Sequence, residues 1–420
     1  MKNLCIVILA AGEGKRMKSA TPKVLHEVCA KPMVARVVDA ARPLARGEKI
    51  IVVAGRHIAA IRSILGKDVV LVQQAQPLGT ADAVKAAKRV IPNYAKDVIV
   101  LYGDTPLIRT ETIKSLYERH VREKAACTVL SAFLDNPAGY GRILRDKGGD
   151  FTGIIEDKDA GFAQKNIKEI NTGMYCFRRE DLLEGLSYVG SSNKSREFYL
   201  TDVFSRFFSE GKKIIAYQAD ESSEVLGVNS KIELLEAQRL FRRRILRHFL
   251  DKDVDIMDLD TIFIDETAKI GPGTKIYPFT YIEKNVVIGK DCSIGPYCHL
   301  RENVVLKNRV SVGNFGEIKN STLGDDTFMR HMSYLGDTRV GRKVNIGAGA
   351  VVANFDGKKK NETIIEDGAF IGCDAVLIAP VVVGKNAVVG AGSVVTKKHD
   401  VASGSVVVGI PAREVKPKED

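Results

Sequence analysis

Apolar strands alternating with helical stretches through the first half, and an aliphatic residue at every sixth position through much of the second, predict an α/β chain in two parts. The first pattern belongs to βαβ units around an open, mostly parallel sheet. The second belongs to a parallel β-helix, whose coils stack six-residue repeats. Length supports the division, because 420 residues exceed what one hydrophobic core usually organises. The boundaries read as a sheet domain over 1–228, a linker helix over 229–251, the β-helix over 252–405 and a C-terminal tail over 406–420.

In the first part CIVILA, KIIVVAG and DVIVLYGD read as buried strands, with KPMVARVVDAARPL and VKAAKRVI as helical stretches. Ligands of such a sheet bind at the carboxyl ends of its strands. The opening segment has the outline of a signal peptide, since a lysine precedes an apolar run that ends in small residues. That run extends only from Leu4 to Ala11, is rich in β-branched residues and leads into a basic glycine loop, so it reads as a first buried strand. SKIELLEAQRLFRRRILRHFLD has the amphipathic period of one long connecting helix.

Beyond that helix the period changes. Ile270, Ile276, Ile282, Ile288, Ile294, Leu300, Leu306, Val312 and Ile318 recur every six residues. The ladder then slips phase, continuing as Leu323, Met329 and Leu335, then as Val340, Ile346 and Val352. After a polar loop it resumes as Ile365, Ile371, Leu377, Val383, Val389 and Val395. Each rung is expected to point inward and stack on the next coil, at ~1.5 to 3 kcal/mol per fully buried aliphatic side chain before chain entropy offsets most of it.

Composition excludes several function classes. No stretch approaches the ~20 continuous apolar residues of a membrane span, and seven cysteines without a CxxC pair or interleaved histidines indicate neither a zinc site nor a disulfide framework. A reducing cytoplasm fits. The net charge of +11 is partly local, as in Arg242, Arg243, Arg244 and Arg247, and reads as a solvated helix face or as affinity for small phosphorylated ligands rather than for nucleic acid.

The first strand runs into Leu9-Ala10-Ala11-Gly12-Glu13-Gly14-Lys15-Arg16-Met17, followed by Pro22-Lys23. Glycines there let backbone N–H groups approach phosphate oxygens, and Arg16 and Lys23 can neutralise a triphosphate or a departing pyrophosphate. A plain glycine turn with surface cations is the alternative reading. Asp104 ends the strand DVIVLYGD and projects into the same crevice, as a structural cap or as a Mg²⁺ ligand in phosphoryl chemistry. In the second part His331 has the intrinsic pKa suited to taking a proton from an amine, though a lone histidine in a repeat is as readily structural.

LAAGEGKRM with PK, QQAQPLGTADA, LYGDTPL, GYGRI, GIIEDKDA, EINTGMY, FYLTD and GVNS, in that order, resemble the bacterial bifunctional N-acetylglucosamine-1-phosphate uridyltransferase and glucosamine-1-phosphate acetyltransferase family. The segments around Glu317, His331, Asn345 and Asn354 resemble the acetyltransferase motif of the same family, so the likeness runs from residue 3 to about residue 400. It implies a Rossmann-like nucleotidyltransferase domain followed by a left-handed β-helix, and synthesis of UDP-N-acetylglucosamine from acetyl-CoA, glucosamine-1-phosphate and UTP. It also implies Mg²⁺ as cofactor, small-molecule substrates and a homotrimer.

By motif position, the resemblance gives Leu9, Ala10, Ala11, Gly12, Lys23, Tyr102 and Gly103 to the nucleotide site and Gln74, Gly79 and Thr80 to the uracil. Gly141, Glu156 and Asn171 fall to the N-acetylglucosamine portion, and Asp104 and Asn229 to the metal. In the second domain His331 becomes the general base and Glu317 the carboxylate that orients it. Arg301 and Lys319 hold the sugar phosphate, and Tyr334 and Asn345 the sugar. Ala348 offers its N–H to the thioester carbonyl, while Asn354, Phe355, Cys373 and Ala391 line the acetyl-CoA groove.

The chain departs from the family at four places. Lys15 replaces a small hydroxyl residue, Phe355 a tyrosine and Cys373 a serine, and Gly409 stands where enterobacterial members place a coenzyme-binding arginine. Arg413, Lys416 and Lys418 are the candidates to compensate. Alternative readings are a monofunctional pyrophosphorylase whose β-helix only trimerises it, a bifunctional enzyme for dTTP and glucose-1-phosphate, and a non-enzymatic binding protein.

Overall fold

The computed structural model describes residues 1, 3–190 and 197–415; Lys416 and Lys418 lie outside them. Packing separates two compact units, Met1–Gln238 and Arg239–Asp420. The division falls inside the long helix Lys231–Leu250. A capping box starts that helix: the Glu233 backbone N–H donates to Ser230 Oγ at 3.2 Å, and the Ser230 N–H donates to the Glu233 carboxylate at 3.0 Å.

The first unit is built on a nine-stranded sheet. We number its strands β1 (Leu4–Ala10), β2 (Gly47–Ala54), β3 (Val69–Gln73), β4 (Asp97–Tyr102), β5 (Cys127–Phe133), β6 (Gly141–Arg145), β7 (Phe151–Ile155), β8 (Glu169–Arg178) and β9 (Ile214–Gln218). The main order is β9-β5-β8-β4-β1-β2-β3, with the β6–β7 hairpin attached to β8. Neighbours along this path are parallel except that β8 runs antiparallel to β4 and β5. Both faces are covered, which is why β1 is apolar throughout rather than alternating. Ile6 and Ile8 enter one core, and Cys5, Val7 and Leu9 the other.

In β8 the pairing with β5 shifts between Asn171 and Tyr175. Gly173 lies in this irregularity with φ +80°, and a Cβ there would stand 2.7 Å from the Tyr102 ring. Glycine is therefore the residue that lets β8 bulge beside the end of β4.

The second unit is a parallel β-helix of short strands in three sheets. Ile276, Ile294, Val312, Met329, Ile346, Ile371, Val389 and Val407 pair in succession down one face. Every rung of the sequence ladder is buried. The phase slips have a physical origin. Two coils lose one residue each, where rungs Ile318 and Leu323, and Leu335 and Val340, stand five apart. A third coil carries the polar loop as an insertion, so the inward direction is kept while the period is not.

Many coil corners adopt a left-handed backbone on residues other than glycine, among them Phe279, Asn285, Asp291, Tyr297, Asn303, Arg309 and Phe315. Asn and Asp tolerate this region, but bulky side chains do so at a cost. The aromatic corners stack, with Phe279–Tyr297 and Tyr297–Phe315 ring centroids 4.7 and 5.1 Å apart. Among the described residues no helix is long and apolar enough to cross a membrane.

Candidate active sites

In the first unit the candidate residues gather at the carboxyl ends of β1 and β4. A cavity of about 220 Å³ is lined by Leu9, Ala10, Ala11, Gly12, Lys23, Gln74, Gly79, Thr80, Tyr102 and Asp104 among others. It adjoins a second of about 240 Å³, lined by Gly141, Glu156 and Asn171 together with Tyr140, Tyr175 and Thr201. Thr80, Tyr102 and Asp104 belong to both walls, so a ligand spanning the two passes over Asp104. Gly103 lies behind the seam, and a Cβ on it would meet Ala10 Cβ at 3.1 Å. Arg16 lines neither cavity and is exposed on the loop.

The phosphate-side loop is shaped by Gly14. Its φ of +64° and the Lys23 Cβ, 2.4 Å from where a Gly14 Cβ would be, together require glycine. Lys23 is buried at 9% exposure. Its ammonium ion-pairs with Asp104 and donates to Asn229 Oδ1 at 2.6 Å. The Val228 N–H donates to the Asp104 carbonyl at 2.8 Å, which ties the two oxygen-bearing segments together. A carboxylate and an amide oxygen converging on one cation form an oxygen donor pair of the kind a hard divalent cation can take up. Among the described residues no cluster of three His, Cys, Asp or Glu side chains could hold a metal unaided.

Elsewhere in the first cavity, Gln74 Nε2 donates to Asp82 at 2.7 Å and to the Gly79 carbonyl at 3.2 Å. Gly79 has φ +128° and passes against the backbone of Phe198, where a Cβ would sit 2.5 Å from the carbonyl oxygen. The Leu200 N–H then donates to Thr80 Oγ1 at 2.9 Å. The loop is thus fixed before any ligand enters.

In the second cavity, Asn171 pairs with Gly141 across the β6–β8 ladder. Its Nδ2 donates to the buried Tyr175 hydroxyl at 2.8 Å, while its Oδ1 accepts from the Gly173 N–H at 3.0 Å. Burial lifts the Glu156 carboxyl above its ordinary value, opposed by a hydrogen bond from the Thr201 hydroxyl. Burial likewise pushes the Tyr102 hydroxyl up, with Asp104 and Glu156 adding to the effect. Tyr140, Tyr175, Thr201 and Asp82 lie inside the motifs GYGRI, EINTGMY, FYLTD and QQAQPLGTADA, but nothing in the sequence distinguishes them individually from the other residues there.

In the second unit Arg301, Lys319 and Lys360 line one cavity of about 370 Å³ with Glu283, Asn320 and Asp337. Contact with Lys360, then the charges of Arg301 and Lys360, hold the Lys319 ammonium below its ordinary value. Three crowded cations form a site suited to a dianionic phosphate. Lys360 reaches it because residues 355–360 fold back on themselves with a bridge between Phe355 and Lys360. Asp356 holds this turn by accepting from the Lys358 and Lys359 N–H groups at 3.0 and 2.9 Å.

Glu317 neighbours Tyr334 in its sheet and takes a 3.1 Å ion pair from Arg301. His331 ends the strand Phe328–His331 of a different sheet and pairs in register with Asn314. Its imidazole is exposed and has no hydrogen-bond partner among the described residues. No Glu317–His331 hydrogen bond or ion pair forms among the described residues: the two stand on strands of different sheets, and the Glu317 carboxylate is paired with Arg301. Asn345 stands in the strand beside Phe328.

Asn354 donates from Nδ2 to Asp337, whose other oxygen accepts from Asn320 at 2.6 Å. Ala348, Cys373 and Ala391 stack along three successive coils. The Asp374 N–H donates to the Ala348 carbonyl at 2.7 Å, and the Gly392 N–H to the Cys373 carbonyl at 2.8 Å. Cys373 and Phe355 are exposed. Gly409 turns the chain with φ +93° into an antiparallel pair in which Arg413 stands opposite Val408. An arginine at 409 would be strained there, which gives the departure at that position a backbone cause.

Comparison with known proteins matches the two units separately. A MobA-like NTP transferase domain matches residues 6–153, and bacterial transferase hexapeptide repeats match 267–301, 285–320 and 362–397. Over nearly the full length, the chain is 40% identical to the bifunctional protein GlmU of Acetivibrio thermocellus, covering 92% of this chain and 91% of that protein. It is 43% identical to that of a Geobacillus species, covering 90% of each, and 38% identical to that of Clostridioides difficile, covering 91% of this chain and 90% of the other.

Proposed function

The chain belongs to the family of bifunctional GlmU proteins, and from that premise we propose that it makes UDP-N-acetylglucosamine in two steps at two sites. The β-helix unit transfers acetyl from acetyl-CoA to glucosamine-1-phosphate. The sheet unit then joins the product to UMP from UTP and releases pyrophosphate. One observation carries the reading: two adjoining cavities share Asp104, one walled by a phosphate-binding loop and the other by polar groups suited to a sugar.

For uridylyl transfer, the geometry supports a division of labour. Gln74, Gly79 and Thr80 hold the uracil, and the loop from Leu9 to Gly12 takes the phosphates with Lys23. Gly141, Glu156 and Asn171 hold the sugar so that a phosphate oxygen of N-acetylglucosamine-1-phosphate faces the α-phosphorus of UTP. That oxygen forms the new P–O bond as the bond to the β-phosphate breaks, so the protein positions and neutralises without a covalent intermediate. Asp104 and Asn229 would hold Mg²⁺, which supplies charge neutralisation between nucleotide and attacking phosphate. Arg16, exposed on the same loop, takes the outer phosphates in this reading.

For acetyl transfer, Arg301, Lys319 and Lys360 take the sugar phosphate while Tyr334 and Asn345 contact the sugar. His331 accepts the amine proton as nitrogen attacks the thioester carbon, and the thiol of coenzyme A leaves. Glu317 is in this reading the carboxylate that orients the His331 imidazole, although in the single chain it is paired with Arg301. The column of Ala348, Cys373 and Ala391, with Asn354 and Phe355, takes the coenzyme in this reading, and Arg413, opposite Val408 just beyond the turn at Gly409, is the candidate cation for its phosphates. Assembly as a homotrimer and a cytoplasmic location belong to the same reading. A pure trimerisation scaffold has no need of three converging cations.

Each half-reaction assayed alone tests the proposal. UTP with N-acetylglucosamine-1-phosphate should release pyrophosphate far faster than dTTP with glucose-1-phosphate, and acetyl-CoA should be consumed only with glucosamine-1-phosphate. Preference for dTTP, or no acetyl-CoA consumption, would replace this reading with one of the alternatives.

A further inference from the structure

We propose that Lys23 occupies the divalent-cation position in the nucleotide-free protein and that the triphosphate must draw it away before metal can bind. The inference rests on the uridylyl-transfer reading and on the assignment of Asp104 and Asn229 as metal ligands.

The Lys23 ammonium contacts the Asp104 carboxylate and stands 2.6 Å from Asn229 Oδ1, the same two oxygens assigned to the metal. It is not a surface cation swept there by chance. The residue is 9% exposed, its stem fills the space that a Gly14 side chain would need, and it starts a turn closed by the Leu25 N–H donating to the Pro22 carbonyl at 2.9 Å. Asp104 is itself 19% exposed, and a carboxylate so enclosed requires a counter-charge when no metal is present. Lys23 supplies it.

Two cations cannot share one carboxylate and one amide at hydrogen-bond distance without strong repulsion. Metal entry therefore requires Lys23 to leave. Lys23 also lines the cavity formed by Leu9 to Gly12, so the departing ammonium has an anionic destination only when a triphosphate lies in that loop. Metal and nucleotide consequently enter as a pair, and free metal is held off. Because the Val228–Asp104 backbone bond fixes the two ligands without metal, the site stays assembled while it waits.

The test is a Mn²⁺ titration of the whole nucleotide-free protein, read by the electron paramagnetic resonance of free and bound Mn²⁺. Lys23→Met and Lys23→Gln should each bind Mn²⁺ at least tenfold more tightly than wild type, whereas Lys23→Arg should bind as weakly as wild type. The Asp104→Ala, Lys23→Gln double variant should lose the gain. Equal or weaker Mn²⁺ binding by both neutral variants, with wild-type melting temperatures, overturns the proposal; the uridylyl-transfer reading fails separately, if the wild type releases no pyrophosphate from UTP and N-acetylglucosamine-1-phosphate. Tight binding that survives loss of Asp104 overturns it together with the ligand assignment.

Discussion

Lys360 joins Arg301 and Lys319 in one cation cluster because the loop behind it is folded by a single carboxylate. Asp356 is held well below the usual carboxylate range, first by the Lys359 N–H, then by Asn361 and the Lys358 N–H. In the sequence, Lys360 is one of three consecutive lysines after a rung, indistinguishable from its neighbours until the bridge to Phe355 selects it. Arg301 and Lys319 were legible because they follow rungs in motif order. Lys360→Met should raise the Michaelis constant for glucosamine-1-phosphate about tenfold or more, the worth of one charged hydrogen bond, with little change in turnover. A steady-state series in that substrate checks it, with Lys358→Met as the control expected to change nothing. Glu156 gives a second residue-scale expectation. Burial raises its pKa in the folded protein, so the stability it contributes is present below the ordinary glutamate value and is lost as pH rises through the raised one. Glu156→Gln should therefore gain melting temperature relative to wild type as pH climbs through that window, and a pH-independent difference would remove the burial argument.

At the scale of elements, the β-helix was the most legible part because its repetition is local. An aliphatic residue every sixth position specifies both strand and inward direction, and even the phase slips could be read as breaks, though their meaning as shortened coils and an inserted loop needed the pairing registers. Corner residues were less legible. Asn285, Asp291 and Asn303 carry the known tolerance for a left-handed backbone, whereas Phe279, Tyr297 and Phe315 occupy the same position against their preference and are compensated by stacking on one another. In the sheet unit, strands such as β1 and β4 followed from apolar runs. Their order, and the β8 bulge that sets Asn171 beside Gly141, depend on contacts distant in sequence and were not foreseeable. Leu306, 1% exposed on the ladder, offers a direct probe. Leu306→Ala should destabilise its unit by about 2 to 5 kcal/mol. The expected signature is a lower inactivation temperature for acetyl transfer, with the inactivation temperature of pyrophosphate release much less affected.

Across the whole molecule, the claim is that two separately packed units carry two separate chemistries. Each unit has its own core, and the residues gathered at each candidate site lie within one of them. His331→Ala should slow acetyl transfer by ~10² to 10⁴, the usual worth of a positioned general base, and leave uridylyl transfer unchanged. The most direct measurement follows coenzyme A release and pyrophosphate release together, in one reaction containing glucosamine-1-phosphate, acetyl-CoA, UTP and Mg²⁺, for wild type, Asp104→Ala and His331→Ala. Wild type should release both. Asp104→Ala should release coenzyme A alone, and His331→Ala should release pyrophosphate only when N-acetylglucosamine-1-phosphate is added. Loss of coenzyme A release in Asp104→Ala, or of pyrophosphate release in His331→Ala supplied with N-acetylglucosamine-1-phosphate, at an unchanged melting temperature, would contradict the account.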